Sequence, residues 1–337
     1  MKKILIIRFS SIGDIVLTSP VIRAVRNKYS ESHISMLIKE EFAPLIKDCP
    51  YLDDVIILKK NERISGLVNR LKDNKYDIII DIHHNIRSLY LDYTLSVKKR
   101  LIYKKNILKR WLLLNLHINL LNRNSSVIES YFEALKPLDI ENDNKGLEIW
   151  INKYDEEKAE DFFKKYINSN NLLIGLAPFA HWETKCWPLE YYLKLMSNLS
   201  LKIDCRFIIF GGPGEDKKLE NMFEKLPNKP IIAIGRLNLM SQAALITKCQ
   251  YFVGNDTGLM HVADAANIPL ITFMGPTVKE FGFSPLGKNS IVLSRDMKCR
   301  PCSLHGSNRC PNGTLECLAS IIPDEVVNRI LDKLELN

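Results

Sequence analysis

Long hydrophobic runs are absent from this chain of 337 residues. No window of about 18 uninterrupted apolar residues exists, so the sequence predicts no segment that spans a membrane. At the amino terminus only a short apolar run, Ile4 to Ile7, separates Lys2-Lys3 from Arg8. That run is too brief for a secretory signal. We therefore expect a cytoplasmic location.

Acidic side chains are missing from one long segment, which extends from Tyr93 to Ile128. Its basic residues are Lys98, Lys99, Arg100, Lys104, Lys105, Lys109, Arg110 and Arg123. An apolar run led by an aromatic residue, Trp111 to Leu116, lies among them. This combination fits a surface that contacts anionic lipid or an acidic lipid-linked glycan, and a solvated helix face with a buried stripe is the alternative. Nucleic acid is not expected as a partner, because no recognition motif accompanies the charge.

The composition is that of an ordinary soluble globular protein, with 46% hydrophobic and 26% charged residues. The chain is long for one domain and comfortable for two. Its formal net charge of +8 is modest. Half of the eight cysteines lie among apolar neighbours and are typical of small core residues. These are Cys49, Cys186, Cys205 and Cys249.

Short apolar segments alternate with amphipathic segments through both halves of the chain. This alternation predicts parallel sheets with helices on both faces, a doubly wound α/β architecture. The predicted strands are Ile4–Phe9, Ser35–Ile38, Val55–Leu58, Tyr76–Ile82, Leu172–Ala177, Arg206–Phe210, Ile231–Ile234, Tyr251–Val253 and Leu270–Phe273. The predicted helices include Ile15–Lys28, Pro188–Ser200, Asp216–Lys225 and Met240–Lys248.

A polar stretch from Glu141 to Lys145 separates the two halves, and a linking strand is predicted from Leu147 to Ile151. We expect one domain at residues 1–155 and a second at 156–322, facing each other across a cleft. The amphipathic pattern from Asp324 to Leu336 predicts a C-terminal helix, within residues 323–337, that packs back across the domains. Ligands bind such folds at the carboxyl ends of the strands.

The segment from Gly254 to Thr277 combines a strand end, a tight polar turn and a helix start. Asp256 and Thr257 are expected to cap a helix from Gly258 to Ala266. The free N–H groups and the dipole of such a helix start form an anion site. His261 lies one turn into the helix and can lean toward the bound group. An ordinary strand–helix turn with a capping aspartate is the alternative.

Polar loops follow four other predicted strands. They are Ser10–Asp14, Asp81–Ser88, Pro178–Pro188 and Gly211–Glu215. Each of them has an ordinary interpretation as a turn, and Asp14 has one as a helix cap. A metal site at His83 and His84 is not expected, because adjacent residues on a strand face opposite ways.

Several of these segments resemble glycosyltransferase family 9, the bacterial heptosyltransferases that build the inner core of lipopolysaccharide. The pattern DTG-x-x-H in Asp256–His261, followed by Gly275-Pro276-Thr277, resembles the family motif that grips the diphosphate and sugar of a nucleotide-activated heptose. The opening around Ser10–Asp14 and the pattern K-x-W-P in Lys185–Pro188 also resemble the family. The resemblance extends over nearly the whole chain and implies a GT-B type fold of two Rossmann-like domains.

The resemblance also implies a role for each matching residue. The donor-binding set is Lys185, Glu215, Asp256, Thr257, Gly258 and His261. The acceptor-binding set is Ser10, Ser11, Gly13 and Arg87, to which we add Lys98, Lys99 and Arg100 from the basic segment. Asp14 is the implied catalytic base, since a carboxylate can accept the proton of an attacking sugar hydroxyl. Lys185 would neutralise the leaving diphosphate, so that catalysis requires no cofactor.

The implied reaction is inverting transfer of a heptose from an ADP-linked donor to a lipid-anchored inner-core acceptor. The protein would then be peripheral on the cytoplasmic face of the inner membrane. Phe179, Ala180 and His181 depart from the family pattern, which leaves another nucleotide sugar or a protein acceptor as an alternative. A non-catalytic nucleotide-binding protein at the membrane is a second alternative, and an epimerase is a third. The presence of both Asp14 and Lys185 favours a transferase.

The remaining cysteines are clustered near the C-terminus. They are Cys299, Cys302, Cys310 and Cys317. A C-x2-C pair followed by two further cysteines matches the thiolate ligands of a structural zinc or iron ion. The expected cytoplasmic location argues against disulfides. Packing without a metal is the alternative.

Overall fold

The computed structural model of the chain describes residues 1–121, 126–167, 171–219, 222–224, 226 and 228–335. The chain divides into two compact units. The first comprises Met1–Ile107 with Asn124–Trp150, and the second comprises Leu108–Arg123 with Ile151–Asn337. None of the helices in the described residues is long and apolar enough to cross a bilayer. Arg123, Lys225 and Leu336, which enter the predictions above, lie outside the described residues.

The first unit is built on a parallel sheet of five strands in its described part. The strands are β1 Lys3–Ile7, β2 His33–Lys39, β3 Asp54–Leu58, β4 Ile78–Asp81 and β5 Lys99–Ile102. Its helices are α1 Ile12–Val16, α2 Ser19–Lys28, α3 Ile64–Leu71, α4 Ile86–Thr94 and α6 Val127–Leu135, while α5 Ile107–Leu116 falls almost entirely in the second unit. The strand order is β3-β2-β1-β4-β5, so the chain changes direction across the sheet between β1 and β4.

The second unit repeats this design with six strands in its described part. They are β6 Leu172–Ala177, β7 Cys205–Ile209, β8 Ile231–Ile232, β9 Tyr251–Asn255, β10 Leu270–Met274 and β11 Ile291–Ser294. The helices are α7 Lys153–Tyr166, α8 Leu189–Ser200, α9 Leu239–Ile246, α10 Gly258–Ala265, α11 Glu316–Ala319 and α12 Pro323–Glu335. The order β11-β10-β9-β6-β7-β8 puts the change of direction between β6 and β9.

Burial on both faces explains why the central strands are continuous apolar runs. In β1, Ile4 pairs with Ile34 on one side and Ile78 on the other, and Ile4 is fully buried. In the second unit, Trp187 stacks on Phe273 of β10 with ring centroids 4.4 Å apart. The predicted doubly wound α/β class is confirmed.

Most predicted strands are confirmed to within one or two residues, and Leu172–Ala177 is found with the predicted bounds. The predicted strand Leu147–Ile151 is wrong, because this segment has no strand partner. It is fixed instead by side chains, since Arg23 donates to Glu148 Oε1 over 2.6 Å and the Glu148 N–H donates to Ser19 Oγ over 2.9 Å. The predicted helix at Asp216–Lys225 is also wrong, and in its described part only a short 3-10 turn, Glu215–Leu219, forms there.

The structure assigns the segment after Ile107 differently from the predicted domain at residues 1–155. The described part of Leu108–Arg123 belongs to the second unit. There Arg110 donates to the Phe281 carbonyl over 3.3 Å, and its guanidinium carbon lies 5.8 Å from the Phe283 ring centroid. The C-terminal helix α12 packs against α8 of the second unit. Its predicted packing across both domains stays a prediction.

Candidate functional site

A buried ion pair lies at the change of direction of the second sheet. Lys185, in the loop after β6, places its Nζ 2.7 Å from Oδ2 of Asp256, which follows β9. The Thr277 hydroxyl donates to the same Oδ2 over 3.0 Å. Asp256 was expected to cap α10, but this expectation is wrong, because its carboxylate is occupied by Lys185 and Thr277. The ion pair therefore fixes the Lys185 ammonium, whose charge Asp256 balances, next to the N-terminus of α10.

The loop that carries Lys185 is held by Asn255, the last residue of β9. The side-chain oxygen of Asn255 accepts from the Trp187 N–H over 2.9 Å, and its amide nitrogen donates to the Pro178 carbonyl over 2.8 Å. Trp187 is fully buried and donates its indole N–H to the Ile321 carbonyl. Because both ends of the loop are fixed, Lys185 has little freedom to move away from Asp256.

Helix α10 begins immediately after Asp256. Thr257 is its N-cap residue, and Gly258 is its first residue. The Thr257 hydroxyl has no hydrogen-bond partner among the described residues. The first N–H groups of the helix also lack partners within the helix, so this turn can bind an anionic oxygen. His261 is 4% exposed on the next turn.

Glu215 lies in the glycine-rich loop after β7 and binds its own loop. Its Oε2 accepts from the Gly212 N–H over 2.7 Å. The same oxygen lies 2.6 Å from where a Cβ on Gly211 would stand, so a side chain at that position would displace it. The contact of Glu215 with a ribose stays a prediction.

The change of direction of the first sheet, between β1 and β4, also holds an ion pair. Nη2 of Arg8, directly after β1, lies 2.5 Å from Oδ1 of Asp14 in α1. Arg8 also donates to the Ile82 carbonyl over 2.5 Å, which joins the ends of β1 and β4, and to the Tyr131 hydroxyl over 3.0 Å. The second carboxylate oxygen of Asp14 accepts from the Ser11 hydroxyl over 2.8 Å and the Ser11 N–H over 3.1 Å.

Electrostatics keep Asp14 ionised. Burial raises the pKa of this carboxyl, but the Arg8 charge and the Ser11 hydrogen bonds outweigh burial, and the pKa lies below its ordinary value. The other predicted residues of this loop build its backbone. The Ser10 carbonyl accepts from Arg8 Nε over 2.9 Å, and Gly13 is buried inside α1.

The loop after β4 is organised by a carboxylate. One oxygen of Asp81 accepts from the backbone N–H groups of His83 and His84, each over 2.8 Å, and the other accepts from the Ser88 hydroxyl over 2.6 Å. Burial, together with the Arg8 charge, lowers the pKa of His83 to about 3, so its imidazole is neutral. Arg87 is exposed on α4 and makes no ion pair with any residue in the described ranges.

A second buried carboxyl, Asp92 of α4, faces Asp81. Both are fully buried. Burial and the Asp81 charge raise the pKa of Asp92 to about 8. An ionised Asp92 has no hydrogen-bond donor next to it in the described structure, whereas a protonated one donates to Asp81. Asp92 is therefore protonated at neutral pH.

The three basic residues expected on the acceptor side lie at β5, and each has a partner in the protein. Lys98 pairs with Asp77 over 2.8 Å, and Lys99 Nζ donates to the Pro137 carbonyl over 2.5 Å. Arg100 donates to the carbonyls of Asp92 and Leu95, where it stabilises the C-terminal end of α4. Acceptor binding by these residues stays a prediction.

The four C-terminal cysteines are free thiols, and three of them, Cys299, Cys302 and Cys317, interact with the Arg300 charge. They are Cys299, Cys302, Cys310 and Cys317. No group of three or more His, Cys, Asp or Glu side chains within the described part of the chain is arranged to hold a metal ion. Metal binding by these thiols stays a prediction.

Three residues of these sites were missed from the sequence. Arg8 carried a signal, because it is a charged residue at the end of an apolar strand and next to a predicted loop. Thr277 ends the Gly275-Pro276-Thr277 motif and Asn255 lies at a predicted turn, and neither position by itself indicates a contact. Their partners are distant in sequence, so no local pattern identifies the contacts.

Fold and site together define a doubly wound α/β protein with a buried ion pair next to a helix N-terminus in its second unit. The family model of "Glycosyltransferase family 9 (heptosyltransferase)" matches residues 64–310, more than half of the chain. The chain belongs to this family, and it is a glycosyltransferase. The resemblance found in the sequence is thereby confirmed.

Relatives support this assignment over nearly the full length. A lipooligosaccharide heptosyltransferase 2 of Haemophilus ducreyi is 26% identical, with 97% of this chain and 98% of the relative aligned. The structure of a family 9 glycosyltransferase from Veillonella parvula superposes with a TM-score of 0.82 at 23% identity, over 100% of this chain and 98% of that one. The E. coli ADP-heptose LPS heptosyltransferase II gives a TM-score of 0.74 at 21% identity, over 98% of both chains. These structures match the predicted GT-B type fold.

Proposed function

We propose that this protein transfers a heptose from ADP-heptose to the inner core of lipopolysaccharide or lipooligosaccharide, with inversion at the anomeric carbon. The observation that carries the proposal is the Lys185–Asp256 ion pair at the N-terminus of α10, which is suited to a sugar diphosphate. The names of the Haemophilus ducreyi and E. coli relatives support heptose as the sugar, and that of the E. coli enzyme supports ADP as the nucleotide.

In this proposal the chemistry of the first unit depends on Asp14. Its carboxylate accepts the proton of the acceptor hydroxyl while that oxygen attacks the anomeric carbon of the heptose. Arg8 and Ser11 fix both carboxylate oxygens but leave lone pairs for the incoming proton. Because the pKa of Asp14 is lowered, the base is ionised throughout the neutral range.

The leaving group is ADP, whose diphosphate gains charge as the glycosidic bond breaks. Lys185 balances part of this charge, and the N–H groups at the start of α10 donate hydrogen bonds to the phosphate oxygens. His261, Thr257 and Gly258 complete the donor side, and Glu215 is assigned to the ribose. A zinc or iron ion at the C-terminal cysteines remains a proposal from the sequence, and no step of this reaction depends on it.

The acceptor is attached to lipid, and we assign the protein to the cytoplasmic face of the inner membrane. Helix α5 and the residues after it support this assignment. Ile107 and Leu108 are each 69% exposed and Trp111 is 51% exposed, next to the exposed Lys104 and Lys109. Apolar side chains flanked by lysines are suited to an anionic bilayer surface.

The decisive experiment is a transfer assay with a panel of donors. Purified protein should transfer sugar from ADP-heptose to lipopolysaccharide from a mutant that lacks heptose, and it should release ADP. GDP- and UDP-sugars should be poor donors by comparison. Efficient transfer from a GDP- or UDP-sugar, and not from ADP-heptose, would support the alternative that the protein uses another nucleotide sugar. That alternative comes from the departure of Phe179–His181 from the family pattern.

A further inference from the structure

The C-terminal segment binds four successive backbone carbonyls of the loop that follows β10. Arg300 donates to the carbonyls of Met274 over 2.9 Å, Gly275 over 2.5 Å and Thr277 over 2.7 Å. The Cys302 N–H donates to the remaining one, on Pro276, over 3.1 Å. A planar guanidinium can span several acceptors at fixed angles, whereas a lysine cannot.

The conformation of this loop depends on these donors and on tight packing. Pro276 has no N–H to donate, and Gly275 lies against Leu318, where an added Cβ would stand 2.7 Å from Leu318 Cγ. Carbonyls that point the same way repel one another unless a cation or several donors stand among them. Arg300 supplies that cation, and its Nη1 is anchored by the Arg295 carbonyl.

The loop ends in Thr277, whose hydroxyl binds the Asp256 carboxylate over 3.0 Å. Asp256 in turn fixes Lys185 over 2.7 Å. Arg300 is therefore connected to the lysine through two side chains that it does not touch itself. The same C-terminal segment also reaches the loop of Lys185 directly, because Thr184 N–H and Oγ1 both donate to the Ser307 carbonyl.

We propose that Arg300 is a positioning residue for the diphosphate of the nucleotide-sugar donor, acting through Thr277 and Asp256 on Lys185. This inference rests on the proposed function. Arg300 itself does not touch the substrate. Loss of Arg300 should weaken binding of the nucleoside diphosphate because Lys185 is then no longer held in position. No direct contact to the donor is removed.

The test is a double-mutant cycle on nucleotide binding. Isothermal titration with ADP is carried out on the wild type, Arg300→Lys, Thr277→Val and the double variant. We expect each single variant to bind ADP about tenfold more weakly, as loss of hydrogen bonds to charged groups does. The double variant should be no weaker than the weaker single variant, because both changes break one chain of contacts. Arg329→Lys, at an exposed arginine of α12, is the matched control and should bind normally.

Additive losses in the double variant, or normal ADP affinity in folded Arg300→Lys, would overturn the inference. If Arg300→Lys does not fold, Gly275→Ala displaces the loop while the arginine stays, and normal ADP binding by that variant would overturn it equally. A wild type that binds GDP or UDP instead of ADP contradicts only the proposed donor, and the cycle is then run with that nucleotide. If no nucleotide binds, inorganic pyrophosphate is the probe, and failure of the wild type to bind it overturns the inference too.

Discussion

Arg8 and Asp14 form a 2.5 Å ion pair that closes the turn between β1 and α1. Each of the two carboxylate oxygens is held by a separate donor, Arg8 on one side and Ser11 on the other. A carboxylate fixed in this way has one orientation, which a base in proton transfer requires. Asp14 is also the N3 residue of a capping box with Ser11, so the predicted helix cap is present, and the buried Arg8 is an addition that a cap does not require.

Replacement of Asp14 by Asn tests this interpretation. The amide cannot accept the proton, so kcat should fall by about 100-fold or more, while ADP affinity should stay near that of the wild type. Transfer kinetics and isothermal titration measure the two quantities separately. Exposed Asp73→Asn is the control for loss of a carboxylate elsewhere in the first unit. Near-normal turnover in Asp14→Asn would leave Asp14 with only a capping role.

The Lys185–Asp256 ion pair of the second unit, unlike Asp14, is predicted to affect donor binding. Lys185→Ala and Asp256→Ala should each lower kcat/KM for the donor by about 100-fold or more, because preorganised charge next to the diphosphate is lost. ADP affinity should fall as well. Lys202→Ala, at an exposed lysine just after α8, is the matched control. If both site variants bind ADP like the control, the donor site lies elsewhere.

Membrane contact should depend on α5 more than on β5. Replacing Lys104 and Lys109 by Gln, or Trp111 by Ser, should weaken binding to anionic vesicles by roughly tenfold, because each basic residue at such a surface contributes about 1 kcal/mol. The matched control is the double variant Lys98→Gln and Lys99→Gln. Lys98 already pairs with Asp77, and Lys99 already donates to the Pro137 carbonyl. Co-sedimentation at low and high salt gives the affinities. Equal binding to neutral vesicles would contradict a lipid-facing role for the basic segment.

The Asp81–Asp92 pair predicts a pH dependence of stability. Since the pKa of Asp92 is raised from 3.8 to about 8, the folded protein keeps a proton that the unfolded chain releases. The contribution of Asp92 to stability is therefore complete below about pH 4 and is lost as the pH rises to about 8. In Asp92→Asn the amide can donate to Asp81 at every pH. The unfolding free energy of this variant should therefore not fall over that pH range.

Urea denaturation of both proteins from about pH 5 to about pH 9 measures the effect. The unfolding free energy of Asp92→Asn minus that of the wild type should rise by about 1.4 kcal/mol per pH unit at most, and should level off above about pH 8. A difference that stays constant with pH would show that Asp92 is ionised in the fold.

Metal binding by the C-terminal cysteines can be measured directly. If they hold a metal, elemental analysis should find about one zinc or iron per chain, and a chelator should lower the melting temperature. Metal-free protein that melts normally in chelator would leave them as packing residues.

Prediction from the sequence succeeded where burial dictates the residues and failed at the edges. Central strands such as Leu172–Ala177 are buried on both faces, so their apolar runs are easy to recognise. The strands β5 and β11 each lie at one edge of a sheet and were not predicted, although the opposite edge strands, β3 and β8, were. Leu147–Ile151 has an apolar pattern but no neighbouring strand, and only the fold reveals this.

The functional residues show the same limit. Asp14, Lys185 and Asp256 stand in short motifs, so their types and positions could be found without coordinates. Their pairings could not, because Lys185 and Asp256 are joined only by the parallel order of β6 and β9. Arg300 lies further along the chain, in a motif that drew attention for its cysteines.

The assignment of Leu108–Arg123 to the second unit has a practical consequence for dividing the protein. The polypeptide passes from one unit to the other three times, after residues 107, 123 and 150. A cut at residue 150 would leave α5 on the wrong fragment and would strip Arg110 from Phe281 and Phe283. A fragment that starts at Ile151 therefore lacks α5, and a stable C-terminal half has to carry the described part of residues 108–123 as well.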